Sequence, residues 1–198
     1  MTANNGLIDD SVSPGQVPDL LLDLYQHRGA GWYSGEPVTQ TEHALQSAWL
    51  AKQAGCDDAL VTAALLHDIG HLLHELGEDC ALEGLDDEHE QVAAGFLARW
   101  FPRSVTEPIR LHVPAKRYRC GTDAVYCGQL SSASQLSLQL QGGPLDAAAC
   151  REFEREPHAV AALQLRDFDD EAKVVGLQTP ELQHFRQSLE SCLSTENS

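Results

Sequence analysis

Apolar residues recur at intervals of three and four along most of the chain, and few segments alternate as a β-strand does. Leu20, Leu21, Leu24 and Tyr25, for example, form one apolar stripe that ends near Gly29. This spacing puts apolar side chains on one face of a helix. The same pattern predicts helices over residues 39–54, 60–73, 88–100, 104–113, 126–141, 146–155 and 157–175, and a last helix from 179–181 onwards.

Helix-start and helix-stop residues set the expected boundaries. Asp57 or Asp58 is suited to cap the helix over 60–73. Pro114 is expected to break the helix that Ser104 begins, and Pro180 to occupy the first position of the last helix. The chain is therefore predicted to be all-α, a single-domain helical bundle. We expect a polar N-terminal segment over residues 1–18 and the helical domain over residues 19–195.

The charge balance excludes two classes of partner. Acidic residues outnumber basic ones by 30 to 13 among the 198 residues, which gives a formal net charge of −17. Nucleic acids and anionic membranes are bound by clustered lysine and arginine, so neither is an expected partner. An anionic small molecule would need a local basic pocket or a metal ion.

The compartment is predicted from two observations. The first 18 residues lack the basic patch and apolar run of a signal peptide, and no stretch resembles a membrane span. The six cysteines contain no CxxC pair and are expected to be free thiols. Both features favour the cytoplasm.

An adjacent histidine and aspartate interrupt an otherwise apolar helix. His67 and Asp68 follow Ala63-Ala-Leu-Leu66. Buried polar groups without partners cost about 1–3 kcal/mol each, so this pair needs a partner such as a metal ion. Adjacent helical residues point about 100° apart, which suits two metal ions or one ion at a kink.

Further candidate ligands stand on separate predicted helices. Side chains that converge from several helices are a common way to build a metal site. The predicted metal ligands are His43, His67, Asp68, His89, His112 and Asp169. The acidic neighbours of His89 would also fit a solvated helix face. The other histidines lack such surroundings and are interpreted as surface or structural residues, namely His27, His74, His158 and His184.

Basic and hydroxyl residues lie one helical turn from these ligands. Residues three or four apart share a helix face, so these groups should border the metal site. They suit a phosphate-like anion, although each charge alone would also fit a surface ion pair. The predicted anion-binding residues are His71, Lys116, Ser134, Ser137, Arg166 and Lys173.

The order His43, His67-Asp68, Asp169 resembles the H…HD…D signature of the HD superfamily. His89 and His112 match its six-ligand, two-metal version. Most HD proteins are phosphohydrolases, but this chain is similar to the mixed-valent di-iron oxygenases that cleave the carbon–phosphorus bond of organophosphonates. The similar stretches include His67-Asp-x-Gly-His71, His89-Glu-Gln-Val92, His112-Val-x-Ala-Lys-Arg-Tyr118 and Asp169-x-x-Ala-Lys-Val174.

The resemblance implies a role for each residue. One iron ion would be held by His43, His67, Asp68 and Asp169, and the other by His89, His112 and a bridging Asp68. Dioxygen would be the co-substrate, and the six anion-binding residues would hold the phosphonate. Tyr33 and Glu36 resemble the family's gate, in which the tyrosine occupies the metal site until substrate displaces it.

The amine end of such a substrate is less constrained by the sequence. Trp32, beside Tyr33, offers an aromatic face for a trimethylammonium group, although it would equally suit packing. This slightly favours the 2-trimethylamino substrate, which would give glycine betaine and phosphate, over the primary amine, which would give glycine. The chain departs from the family at Phe168, where a tryptophan is expected.

Two other functions remain compatible with the residues. One is a metal-dependent HD phosphohydrolase of a nucleotide or small phosphoester, because four histidines and two aspartates also suit Mn, Co or Zn. The other is a non-catalytic HD module that binds a ligand. The complete ligand set argues against the binding module. The oligomeric state stays open.

Overall fold

Helices supply nearly all the regular structure of the computed structural model, which describes residues 12–33, 35–73 and 84–194. Within these residues the predicted all-α fold is confirmed. The only β-type pairing described is one antiparallel bridge between Trp32 and Thr39. The helices are α1 (Val17–Arg28), α2 (Gln40–Gln53), α3 (Asp58–Leu66), α4 (Gly70–Leu73), α5 (His89–Leu97), α6 (Arg103–Thr122), α7 (Ala124–Gln129), α8 (Ser132–Leu140), α9 (Ala147–Phe153), α10 (Ala159–Glu171) and α11 (Arg186–Cys192).

Side-chain caps explain several of the boundaries. Thr39 and Glu42 form a capping box at the start of α2, in which Thr39 Oγ1 accepts from Glu42 N at 3.1 Å. Asp57 caps α3 by accepting from Leu60 N at 2.9 Å, as the sequence predicts. Such caps satisfy the first amide groups of a helix, which have no partner within it.

The predicted break at Pro114 is wrong. Helix α6 continues through both Pro108 and Pro114 to Thr122. A proline inside a helix costs about 3 kcal/mol. Ten of its residues are buried, including Val105, Ile109 and Leu111, so packing of this face against the other helices outweighs that local cost.

The chain leaves α10 earlier than its pattern predicts. The helix ends at Glu171 instead of residue 175. His43 Nδ1 lies 2.9 Å from the carbonyl oxygen of Ala172, and the Gln46 amide bonds both the N–H and the carbonyl of Val174. These contacts with α2 replace helical hydrogen bonds and draw the following segment onto α2.

Two more boundaries differ from the prediction. The helix expected between 126 and 141 is split into α7 and α8, because Ser131 caps a new helix by accepting from Ser134 N at 3.1 Å. The last helix does not begin at Pro180: a 3-10 turn over Leu182–Phe185 precedes α11. Residues 1–11 of the predicted polar N-terminal segment lie outside the described residues, and α1 already begins at Val17.

The main core lies between α1, α2, α3, α5, α6, α10 and α11. Its largest fully buried side chain is that of Tyr25, whose hydroxyl donates to the carbonyl of Leu65 at 2.7 Å. Two smaller clusters pack on the far end of α6. None of the described helices is both long and apolar enough to span a bilayer. The rigid packing of α2, α3, α6 and α10 fixes the polar residues described next.

Candidate metal centre and anion pocket

The His67-Asp68 pair lies in a turn between two helices. The predicted helix over 60–73 is interrupted, since α3 ends at Leu66 and α4 begins at Gly70. The seven residues of α3 from Leu60 to Leu66 are buried, so the turn starts in the protein interior. His67 is 0% and Asp68 3% exposed. The turn therefore presents both polar side chains inside the bundle.

Four buried histidines have their Nδ1 atoms engaged. The Nδ1 atoms of His43, His67 and His112 lie 2.7–2.9 Å from the backbone carbonyl oxygens of Ala172, Ala64 and Ile109. The Nδ1 of His89 lies 2.9 Å from Asp87 Oδ1. Carbonyl and carboxylate oxygens only accept, so each Nδ1 carries the hydrogen. In a neutral ring this leaves a lone pair on Nε2.

The four Nε2 atoms converge in two pairs. His43 Nε2 and His67 Nε2 are 3.1 Å apart, and His89 Nε2 and His112 Nε2 are 3.2 Å apart. Two lone pairs that face each other repel, whereas a cation between them is a ligand to both. Backbone and carboxylate partners on the opposite nitrogen are the usual support of metal-binding histidines.

Asp68 lies between the two pairs. Its Oδ2 is 3.5 Å from His43 Nε2 and 3.2 Å from His67 Nε2, while its Oδ1 is 3.4 Å from His89 Nε2 and 3.5 Å from His112 Nε2. Neither oxygen has a hydrogen-bond partner among the described residues. A buried carboxylate without hydrogen bonds is costly unless it binds cations. The geometry suits a bridge between two ions.

Asp169, on α10, completes the first position. Its Oδ1 lies 3.4 Å from His43 Nε2, and its ligand atoms with those of His43 and His67 fit within 4.8 Å of one another. The six residues predicted as ligands are thus brought together from α2, the turn after α3, α5, α6 and α10. Nitrogen and carboxylate donors in this mixture suit iron, manganese, cobalt or zinc.

The titration of the site also favours a cation. Burial lowers the pKa of His43, but the nearby carboxylates of Asp169 and Asp68 outweigh it and raise that pKa to about 9. Burial likewise lowers the pKa of His89, and the bond with Asp87 and the charge of Asp68 raise it to about 9. The carboxylates thus attract positive charge, which protons or metal ions supply, and metal binding must displace the protons.

A cavity of about 310 Å³ opens beside the histidines. Five of the six predicted anion-binding residues line it: His71, Lys116, Ser134, Ser137 and Arg166. The sixth, Lys173, reaches the same wall, since its Nζ donates to Ser134 Oγ at 3.1 Å. The cavity thus has a cationic, hydroxyl-bearing wall next to the metal ligands.

Each cation on this wall has a fixed orientation. Lys116 Nζ donates to Ser137 Oγ at 2.8 Å. Arg166 Nη1 lies 2.5 Å from Asp169 Oδ2, and the guanidinium also contacts Asp170 through Nε at 3.0 Å. Burial and the charge of Arg166 lower the pKa of Lys116 to about 8. Such buried, desolvated cations attract an anion more strongly than surface lysines do.

Of the residues predicted to form the gate and recognise the amine, Tyr33 and Glu36 line the cavity and Trp32 does not. The Tyr33 ring stacks on His43 with a centroid separation of 3.8 Å, and its hydroxyl is 3.5 Å from Asp169 Oδ1. Glu36 accepts from Ser131 Oγ and lies 3.8 Å from Lys173 Nζ. Both line the cavity. Trp32 does not: it is 59% exposed and outside the lining, so the structure does not bring it to the site.

Comparison with known proteins places this site in a family. The HD domain family matches residues 41–175. The chain is 49% identical over 184 residues to hydroxymethylphosphonate dioxygenase of Gimesia maris, covering 92% of this chain and 91% of the relative. It is 40% identical over 171 residues to the glycine-betaine-forming [1-hydroxy-2-(trimethylamino)ethyl]phosphonate dioxygenase of Leisingera caerulea, covering 86% and 87%.

The chain belongs to the HD-domain phosphonate dioxygenases. The resemblance inferred from the sequence motifs is thereby confirmed, as is the prediction of an oxidoreductase. The HD domain and its cluster of histidine and aspartate donors support a metal cofactor. The histidines interpreted as surface or structural residues are not part of the described cluster, and His74 lies outside the described residues.

Sequence reasoning missed one residue of this HD site. Asp87 accepts from His89 through Oδ1 and lies 2.5 Å from His71 Nδ1 through Oδ2. It stands in the acidic run 86–88 before His89, which resembles a solvated face. The available signal was its position two residues before a candidate ligand, where a short carboxylate can reach back to the imidazole.

Proposed function

We propose that the protein is a di-iron oxygenase that uses dioxygen to cleave the C–P bond of a 1-hydroxyphosphonate, giving phosphate and a carboxylic acid. The observation that carries this proposal is one cavity whose wall contains both the cationic residues and the metal-ligand candidates His89, His112 and Asp169. A phosphonate on that wall would have its C1 hydroxyl beside the ligands. The family relationship supports the same reaction class.

The ligand roles follow the two pairs of histidines. We assign one iron to His43, His67, Asp68 and Asp169, and the other to His89, His112 and Asp68. When bound, a mixed-valent pair of iron ions would supply the electron exchange with dioxygen, which zinc cannot do. The chain itself holds the orientation of the four histidine ligands through their Nδ1 contacts, and incoming metal ions would displace the protons that His43 and His89 carry near neutral pH.

The remaining residues position the substrate. Lys116, Lys173 and Arg166 offset the phosphonate charge, while Ser134, Ser137 and His71 supply hydrogen bonds. Tyr33 covers the first metal position by stacking on His43, so substrate entry would require its hydroxyl to leave Asp169. The enzyme gains rate by holding the C–P bond and the metal ligands in one geometry.

Two substrates are candidates, each on its own observation. Hydroxymethylphosphonate is favoured by the 49% identical relative and by the location of Trp32 outside the cavity. In that location Trp32 offers no aromatic face to a trimethylammonium group. The carbon and phosphorus of hydroxymethylphosphonate would each gain one oxygen, giving formate and phosphate. The 2-trimethylamino substrate is favoured by the second relative and by the carboxylates of Glu36 and Asp86 on the cavity wall.

Turnover of three substrates by the iron-loaded protein tests this function. We would compare hydroxymethylphosphonate with the 2-amino and 2-trimethylamino derivatives of 1-hydroxyethylphosphonate, measuring phosphate released in air. The proposal expects oxygen-dependent phosphate release from at least one of them, and the largest kcat/KM identifies the substrate. Hydrolysis of a phosphoester panel under nitrogen, with no phosphonate turnover, would identify a phosphohydrolase instead.

The apparent affinity for the phosphonate should fall as pH rises through about 8, the pKa of Lys116. Lysine is charged below its pKa and neutral above it, so its attraction for the anion is present at pH 7 and lost at pH 9. We expect KM to rise severalfold over this interval. Lys116→Arg, which stays charged, should flatten the profile, and an unchanged profile in Lys116→Met would contradict this role.

The surroundings of the reaction are also proposed. The described cysteines are all free thiols, which suits a reducing compartment, and we place the enzyme in the cytoplasm. Its net charge of −17 disfavours nucleic acid as a partner. The expected partner is a small anionic molecule that binds at the cationic wall of the cavity.

A further inference from the structure

One carboxylate joins a metal-ligand histidine to a histidine of the anion-binding wall. We propose that Asp87 is a positioning residue that orients His89 toward the second metal ion and His71 toward the phosphonate. This inference rests on the proposed function for the identity of the two ligands. It assigns Asp87 a role that neither the motifs nor the relatives' names indicate.

The contacts define the orientation of both rings. Asp87 Oδ1 lies 2.9 Å from His89 Nδ1, and Asp87 Oδ2 lies 2.5 Å from His71 Nδ1. The two imidazoles stack with centroids 4.1 Å apart and an interplanar angle of 23°. All three side chains are at least 87% buried. A carboxylate accepts only, so each Nδ1 is the donor and each Nε2 faces away from Asp87.

His89 differs from the other three ligand histidines in its partner. His43, His67 and His112 donate to the backbone carbonyls of Ala172, Ala64 and Ile109, which carry no net charge. His89 donates to a charged side chain. A charge-assisted bond is stronger than one to a neutral carbonyl, and it raises the basicity of the imidazole as a ligand. The His89/His112 position therefore depends on Asp87 in a way that the His43/His67 position does not.

The shared carboxylate gives the two histidines one support. Any movement of Asp87 changes the orientation of the His89 ring and the His71 ring together, since each oxygen is committed to one of them. His71 lines the anion cavity, and His89 Nε2 lies 3.4 Å from Asp68 Oδ1. Phosphonate binding at His71 should therefore favour the arrangement of His89 that binds metal, and the effect is reciprocal.

A purely structural role for Asp87 would have different consequences. Its Oδ1 also lies 3.4 Å from His89 N, near the start of α5. That distance is at the weak limit of a hydrogen bond, and the residue at the N-cap is Glu88. Loss of a helix cap would lower the stability of the protein but would not distinguish one metal position from the other.

The test compares Asp87→Asn with the control variant Glu88→Gln. Glu88 is the next residue in the chain, is exposed and does not line the cavity, and its substitution removes the same charge. The probe is Mn²⁺, titrated by equilibrium dialysis into metal-free protein with and without inorganic phosphate. Wild type and Glu88→Gln should bind two ions. In Asp87→Asn we expect one of the two ions to lose about 10–100-fold in affinity while the other is unchanged, and we expect phosphate to bind more weakly.

Each outcome decides the inference. Selective loss at one position, with the thermal unfolding of the metal-free protein close to wild type, supports it. Equal losses at both positions, or affinities within threefold of wild type, overturn it, as does a wild type that binds fewer than two ions. If the selective loss occurs in a protein that turns over no phosphonate, the positioning role stands and the proposed reaction fails.

Discussion

Asp68→Ala is expected to remove both metal ions and to abolish phosphonate turnover. Among the described residues, Asp68 alone has oxygens that face both pairs of histidines, at 3.2–3.5 Å from the four Nε2 atoms. Its oxygens have no other partner among the described residues, so no compensating contact exists. We expect the affinity for both ions to fall by more than about 100-fold, since even outer-shell changes cost 10–100-fold.

The metal content of the purified variant, measured after removal of loosely bound ions, checks this expectation. Asp167→Ala is the control, since its side chain is 47% exposed and pairs with Arg119 away from the centre. It should retain both ions and full activity. If Asp68→Ala bound two ions at wild-type affinity, the carboxylate would not be a bridging ligand.

Gly70→Ala is expected to reduce turnover about 100-fold. A Cβ at Gly70 would lie 2.1 Å from the carbonyl oxygen of His89 and 2.7 Å from its carbonyl carbon. Both atoms belong to the backbone at the start of α5, so they cannot yield by a change of rotamer. The backbones of α4 and of His89 must therefore move apart by about 1 Å or more. A misplacement of that size costs about 10²-fold in rate.

Gly95→Ala is the matched control for this change. Gly95 lies in the same helix as His89, and nothing stands within 4 Å of the position its Cβ would take. This substitution should leave kcat/KM unchanged and raise helix stability by about 0.5–1 kcal/mol. The measurement is the steady-state kcat/KM of both variants with the best phosphonate. Wild-type rates in Gly70→Ala would mean that the approach of α4 to α5 does not position His89.

The metal ligands were predictable because burial makes polar groups conspicuous. His67 and Asp68 interrupt an apolar run, and such a pair needs partners wherever the chain folds. The structure gathers the four other candidates around them. The turn at residues 67–69 was less predictable, because the apolar pattern of 60–73 fits one continuous helix equally well.

Tertiary contacts explain where the local rules failed. Pro114 does not end α6 because the buried face of that helix continues past it, and this keeps Lys116 on the same helix as His112. The exit of the chain at Ala172 depends on His43 and Gln46, which are about 130 residues away in sequence. Local sequence carries no signal of such distant partners.

Two errors at the cavity have a similar cause. Trp32 was linked to the substrate because it neighbours Tyr33 in sequence, but adjacent residues in an extended segment face opposite sides. Asp87 lies in an acidic run whose other members, Asp86 and Glu88, are exposed, so the sequence gives no sign that its own side chain is buried. In both cases the orientation of one side chain decides the role, and composition alone does not reveal it.

The oxygenase function is tested most directly by the ratio of dioxygen consumed to phosphate released by the iron-loaded protein with its best 1-hydroxyphosphonate. An oxygen electrode and a phosphate assay on the same reaction give both quantities. We expect one dioxygen consumed per phosphate released in air, and no phosphate release under nitrogen. Phosphate release at the same rate under nitrogen would contradict it and would make the metal centre that of a hydrolase.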